Sequence, residues 1–234
     1  MHVLVIGGSG RVGTGVLPYL AEDHEITVFD VRPPQVSEVT YVAGSVLDPA
    51  ALQLAMQDAD GLIYMAMNRE FDDFAEACDV NVCGLYNAFD AALKAGLAHV
   101  VHTTTGSVHN EHTVKRFYDE SLPLEAWHNY GLTKGMGEMA CQYFSRVHGM
   151  SVIALRLFGP CSREKWLEDW RRHQPSGLTT FSDTARAYEK ALQLREHRGF
   201  DAVFISGDHT GEIVNCEKAK RLLGWEPLDR FSGA

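Results

Sequence analysis

Apolar stretches of strand length recur along the chain, separated by amphipathic segments long enough for helices. The strand-length runs are "HVLVIG", "EITVFD", "VTYVAG", "GLIYMAM", "HVVHTT", "SVIALRLF" and "AVFISG". Runs that are apolar on both faces suit a parallel sheet covered by helices on each side. The segments "RVGTGVLPYLAED", "PAALQLAMQD", "FAEACDVNVCGLYNAFDAALKAG" and "YGLTKGMGEMACQYFSRVHG" read as those helices. Pro49 after Asp48 marks a helix start, and Gly96 and Gly149 mark stops. Pro18 falls inside the first helix and is expected to bend it. The repeated strand–helix alternation predicts an α/β, doubly wound fold. After Pro160 the texture changes to the charged, tryptophan-bearing "CSREKWLEDWRRHQPSG", which reads as a small cap.

Composition narrows the function classes. The chain has 234 residues and a formal net charge of -10, without a long basic run, which disfavours nucleic acid as a partner. No apolar stretch approaches the ~18 residues a membrane span needs. The N-terminus "MHVLVIGGSG" lacks a basic leader and a cleavage site. Five scattered cysteines with no CxxC suggest reduced thiols and a cytoplasmic location.

Candidate chemistry begins at "VLVIGGSGRVGTGV", where Gly7, Gly10 and Gly13 lead from a strand into a helix. Glycines let the backbone approach a pyrophosphate, and the helix N-terminus offers amide donors to it. The strand "ITVFD" ends in Asp30, at the ~20-residue spacing of a ribose-binding acid. A carboxylate there accepts from ribose hydroxyls and repels a 2′-phosphate, so NAD is expected over NADP. Arg11 and Arg32 argue the other way, since either suits a 2′-phosphate. The fold is therefore expected to be of the Rossmann type. Residues 1–158 would form the NAD-binding domain with the catalytic residues, and 159–234 a small C-terminal substrate-binding cap interleaved with the main sheet.

A second signal is "HNYGLTKGMGE", where Tyr130 and Lys134 stand four apart on one helix face. A lysine ammonium favours the phenolate of a nearby tyrosine, which would let Tyr130 exchange a proton with a substrate hydroxyl or carbonyl.

With both motifs in view, the chain resembles the extended short-chain dehydrogenase/reductases, the NAD-dependent epimerase/dehydratase family. "GGSGRVG" resembles the family's glycine loop, "GLIYMAM" its fourth strand and "NVCGLYNAFDAA" its Asn-Val-x-Gly-Thr-x-Asn helix. "VVHTTTGSVHN" is similar to the strand that usually ends in Ser-Ser-x-x-Val-Tyr-Gly, and "LRLFGP" and "LLGWEP" to late motifs. The resemblance implies Thr105, 25 residues before Tyr130, as the catalytic hydroxyl beside Tyr130 and Lys134. It implies a cofactor cleft formed by Gly7, Ser9, Gly10, Arg11, Val12 and Gly13 of the loop, then Asp30, Val31 and Arg32. Ser45 and Val46, Met65, Ala66 and Met67, Asn81 and Thr103 complete it, with Tyr130 and Lys134. Substrate contacts would come from Met67, Thr105, Gly106, Ser107, His109, Tyr130, Phe158 and Arg163.

Departures from the family pattern shape the expected substrate. Gly44-Ser45-Val46 replaces the usual Gly-Asp-Ile/Val, leaving Val46 to pack on adenine without the polar contact. His109 and Asn110 replace the Tyr-Gly of Val-Tyr-Gly, and no acidic pair follows Thr105, which argues against dehydration. Only about twenty residues separate Pro160 from "TFSDTARAYEKAL", too few to hold a nucleotide sugar as larger members do. The resemblance is closest to the short uronate dehydrogenase-type members, so a free sugar or sugar acid is expected. A uronate carboxylate would meet Arg156, Arg163 or Lys165. A structural ion pair is an equal alternative for Arg156, and a solvated helix face suits the other two. NAD-retaining sugar epimerisation is the alternative activity, and a non-catalytic dinucleotide-binding regulator a third.

No metal site is expected. His99 and His102, three apart on a strand, point to opposite faces, so they cannot join His109 and His112 around one ion. Phe74, Val82, Leu85, Phe89, Met136, Met139 and Tyr143, on two long helices, are compatible with a homodimer or with core packing alone.

Overall fold

The computed structural model describes residues 1–68, 73–109 and 118–232; Asn110 and His112 lie outside them. Seven parallel strands form one sheet in the order β3-β2-β1-β4-β5-β6-β7. They are β1 (His2–Ile6), β2 (Glu25–Asp30), β3 (Thr40–Ala43), β4 (Gly61–Tyr64), β5 (His99–Thr105), β6 (Ser151–Leu157) and β7 (Phe200–Ile205). Chain order reverses between β1 and β4, so the connections leaving these two strands diverge and open a crevice at their carboxyl ends.

Alternate residues of each strand feed the two cores. Val3 and Val5 of β1 face α1 (Arg11–Leu20), α7 (Phe181–Gln193) and α8 (Glu217–Leu223). Leu4 and Ile6 face α2 (Pro49–Ala55), α4 (Leu85–Lys94) and α5 (Asn129–His148). Burial on both sides explains why the strands carry continuous apolar runs. The Asp48 side chain caps α2 ahead of Pro49, and Gly149 ends α5 in the left-handed region (φ 69°). Pro18 lies within α1 near its C-terminal end.

The long helix expected at 74–95 is divided into α3 (Phe74–Cys78), a π-helical turn (Asp79–Gly84) and α4. That turn directs the Asn81 amide inward, where Nδ2 donates to Asn68 Oδ1 and Thr133 Oγ1, both at 3.0 Å. Leu85 and Phe89 are core residues, whereas Phe74, Met136, Met139 and Tyr143 are exposed.

The chain beyond residue 158 returns to the sheet through α7 and β7. A satellite cluster of Cys161, Trp166 and Trp170, backed by Leu178 and Phe231, belongs to α6 (Arg163–Arg172) and its surroundings. The C-terminal segment is tied down by Asp183, whose carboxylate accepts from the amides of Leu228 and Asp229 and from Arg186. Trp225 Nε1 donates to the Asp183 carbonyl at 2.9 Å. Among the described residues, no helix is long and apolar enough to cross a membrane.

Removing several hydrogen bonds to a buried carboxylate leaves backbone amides without acceptors. Asp183→Ala is therefore expected to cost roughly 2 kcal/mol or more, read as a lowered urea midpoint with unchanged m-value.

Candidate active site

The crevice at the β1/β4 switch is a cavity of about 650 Å³. At one end lies the turn from β1 into α1. Gly7 has φ +82°, and a Cβ there would sit 2.3 Å from the Ala66 backbone. A Cβ on Gly13 would sit 2.0 Å from the Gly8 carbonyl oxygen. Bare glycine at these points keeps the turn tight and α1 close to the sheet. No side chain caps α1, so its first amides remain available to an anion. Gly10, Arg11 and Val12 line the cavity, while Gly13 acts by packing behind it.

Asp30 ends β2 at the rim of this cavity. Its carboxylate accepts from Ser9 N at 3.0 Å and from Arg32 N at 3.1 Å, which anchors it to the glycine loop. Ser9 Oγ in turn donates to the Arg32 carbonyl at 2.7 Å. Val31, Arg32, Ser45 and Val46 continue the same wall, followed by Met65, Ala66 and Met67 after β4. The cleft thus offers glycine backbone, a helix N-terminus, an anchored carboxylate and an apolar shelf, in the order an extended dinucleotide presents its groups. Asn81 is absent from the wall; it braces Asn68, which lines it.

At the inner end stand Thr103, Thr105, Tyr130 and Lys134. Lys134 Nζ donates to the Thr103 carbonyl at 3.1 Å. Burial pushes its pKa down to about 8. Thr103 Oγ1 and the Tyr188 hydroxyl are 2.6 Å apart, so Tyr188 of α7 supports the strand from the other face. Thr105 and Tyr130 are joined by a side-chain hydrogen bond. Burial raises the Tyr130 pKa above its ordinary value, and the Thr105 bond and the Arg11 charge oppose that rise. The Arg11 charge of the glycine loop thus acts on the phenol in the direction expected of a lysine ammonium. Arg11 reaches across the cleft, with Nη1 donating to the Pro160 carbonyl at 2.7 Å.

Of the expected substrate contacts, Met67, Thr105 and Tyr130 line the cavity, and Gly106, Ser107, His109, Phe158 and Arg163 do not. Gly106 and Phe158 are packed together, a Cβ on Gly106 meeting the ring at 2.5 Å. Ser107 N donates to Thr105 Oγ1 at 3.2 Å, so Ser107 closes the short turn Gly106–Val108. His109 is buried against Arg156. Arg163 pairs with Asp229 at 3.0 Å and its side chain is 61% exposed. Lys165 is exposed on the same helix. Arg156 forms a buried ion pair with Glu138 at 2.7 Å, which decides between its two readings.

The remaining histidines disperse. His99 bonds Ser151 Oγ and the Ala191 carbonyl, and His102 lies against Tyr64 on the opposite face of β5. Sequence reasoning missed Leu157, Gly159 and Pro160 as cavity walls and Tyr188 as a support. "LRLFGP" was the available signal for the first three.

Residues 3–196 match the NAD dependent epimerase/dehydratase family. The chain belongs to that family. An L-arabinose 1-dehydrogenase (NAD(P)(+)) of Haloferax volcanii is 28% identical over 97% of this chain and 96% of its own. A uronate dehydrogenase of Pseudomonas syringae pv. tomato is 26% identical over 80% of this chain and 66% of its own. In structure, a uronate dehydrogenase from Agrobacterium tumefaciens aligns with TM-score 0.83 and 19% identity, over 97% of this chain and 84% of that one. A short-chain dehydrogenase/reductase superfamily protein from the same organism, with bound NAD, aligns at 0.82 with 20% identity, over 98% and 93%. The family member described here thus shares its fold with NAD-bound and uronate-oxidising proteins.

A carboxylate anchored at this rim would repel a 2′-phosphate through its charge. Asp30→Ala should narrow the preference for NAD over NADP by about tenfold or more, measured as the ratio of kcat/KM values. A parent enzyme that prefers NADP would contradict this role for the carboxylate.

Proposed function

We propose that the protein is an NAD-dependent oxidoreductase that oxidises a hydroxyl of a free sugar or sugar acid. The observation that carries this reading is the Thr105–Tyr130 hydrogen bond beside buried Lys134, at the inner end of a cleft whose outer end holds Asp30. Bound NAD supplies the hydride acceptor. Thr105 Oγ1 and the Tyr130 hydroxyl hold the reacting oxygen, and Tyr130 takes its proton. The Arg11 charge lowers the energetic demand of that ionisation. Lys134, held by the Thr103 carbonyl and charged below pH about 8, would hold a ribose hydroxyl of NAD with its ammonium.

A free sugar is favoured because the chain between Pro160 and α7 is short and half of it is folded into α6. The arabinose- and uronate-oxidising relatives support the same class. Oxidation at C1 to a lactone fits both names. Residues 1–158 are assigned to cofactor and catalysis and 159–234 to the substrate side, a division supported by Gly159 and Pro160 lining the cavity from the second segment.

Tyr130→Phe should retain NADH binding, followed by fluorescence, while turnover falls by about 10²–10⁴; unchanged turnover would remove Tyr130 from the reaction. With wild-type protein, a panel of pentoses, hexoses and hexuronates with NAD should yield NADH for at least one sugar. Conversion of a sugar to its epimer without NADH release would make the protein an epimerase.

A further inference from the structure

The sequence marks His109 as a substrate contact, and the structure turns it inward. Its ring is 1% exposed. Nε2 lies 3.0 Å from Arg156 Nη1, and Nδ1 lies 2.9 Å from the Pro123 carbonyl oxygen. A guanidinium only donates and a carbonyl only accepts. Nε2 must therefore be the bare acceptor, and Nδ1 carries the proton. The ring is neutral and held in one tautomer.

Arg156 passes this constraint on. Its Nε and Nη2 donate to Glu138 Oε1 and Oε2 at 3.0 and 2.7 Å. Glu138 Oε1 also accepts from Thr104 Oγ1 at 2.9 Å. All four side chains are buried. The chain of bonds starts at Pro123, in the segment leading to Tyr130, and ends at Thr104, the neighbour of Thr105. Glu138 lies one turn beyond Lys134 on α5. The network therefore joins the two elements whose separation sets the Thr105–Tyr130 contact.

We propose that His109 is a positioning residue whose neutral, Nδ1-protonated ring locks Arg156 and Glu138 and thereby sets Thr105 against Tyr130. This rests on the reading that Thr105 and Tyr130 hold the reacting oxygen. Among the described residues, the charged groups around the ring are Arg156 from β6, Glu138 from α5 and Asp119 from the segment before α5. The Phe204 ring of β7 packs edge-on at 5.5 Å. Burial first, and Arg156 after it, hold the His109 pKa below its ordinary 6.5, against the opposing Pro123 carbonyl, Glu138 and Asp119. A depressed histidine pKa keeps the ring neutral near neutrality, and its contribution is lost as pH falls through the folded value. Protonation would put a hydrogen on Nε2 facing the guanidinium and end that bond.

Two variants test this. His109→Phe keeps a flat ring and removes both hydrogen bonds. His109→Gln offers an amide oxygen where Nε2 stands and does not titrate. The phenylalanine variant should lose about tenfold or more in kcat, while sugar KM and NADH affinity stay within about threefold of the parent. The glutamine variant should recover kcat near neutral pH and show its acid-side fall at lower pH than the parent. A raised KM with unchanged kcat would make His109 a substrate contact and overturn the proposal, as would an identical acid limb in the glutamine variant. If the phenylalanine variant fails to bind NADH, the glutamine variant decides alone. NMR of isotope-labelled histidine nitrogens, assigned by loss of the signal in His109→Gln, reads the tautomer without any assay. An Nε2-protonated ring at neutral pH would refute the network even in an enzyme whose substrate is still unfound. An active Tyr130→Phe enzyme would instead strike the catalytic reading and leave the tautomer result standing.

Discussion

Burying a lysine ammonium is costly unless its donors are met, and the inner end of the cleft is built around meeting them. Lys134 Nζ donates to the Thr103 carbonyl, a main-chain acceptor of β5. That bond joins α5 to the strand tip. One helical turn further, Glu138 accepts from Thr104, the next residue of the same strand. Two successive strand residues are therefore tied to two successive turns of one helix. Thr105 and Tyr130 meet because the elements carrying them have no freedom to slide.

The same logic explains why so charged a group as Arg156 can sit inside. Its fork matches the Glu138 carboxylate, His109 takes another donor, and the Phe204 ring lies under the guanidinium at 5.5 Å. Removing Glu138 would leave the Arg156 charge buried without its counter-ion, whereas removing His109 would free one guanidinium donor and leave the ion pair in place. At the outer end the constraint is different. There the backbone itself is the binding surface, and glycine is needed where a Cβ would strike Ala66 or the Gly8 carbonyl. The cleft thus has a rigid polar inner end and an outer end made mostly of main chain, bridged by Arg11 from the glycine loop to Pro160.

Much of the fold was legible because each strand is buried on both faces and each crossover needs a helix. All seven apolar runs proved to be strands, and the pairing of Gly7, Gly10 and Gly13 with Asp30 located the cleft. The π-helical turn was not legible, since a single i→i+5 turn inside a helix has no residue signature of its own in 74–95. Of the expected substrate contacts, Met67, Thr105 and Tyr130 line the cavity, while His109 packs against Arg156 and the Phe158 ring against Gly106. Position just after a strand end does not reveal which distant segment such a ring will meet.

By itself the sequence determined the sheet, the order of glycine loop and acid, and the spacing that sets Thr105, Tyr130 and Lys134 in one neighbourhood. Period and turn chemistry are local matters, as is the four-residue step from Tyr130 to Lys134 on one helix, while Thr105 entered through the family resemblance. Only the tertiary structure decided that Arg156 is spent on Glu138, that Arg163 faces outward to Asp229, and that His109 turns inward. Each outcome depends on which partner a charged or polar side chain meets from a distant segment. Burial then makes that partner obligatory, because a polar group withdrawn from water must be satisfied where it lies.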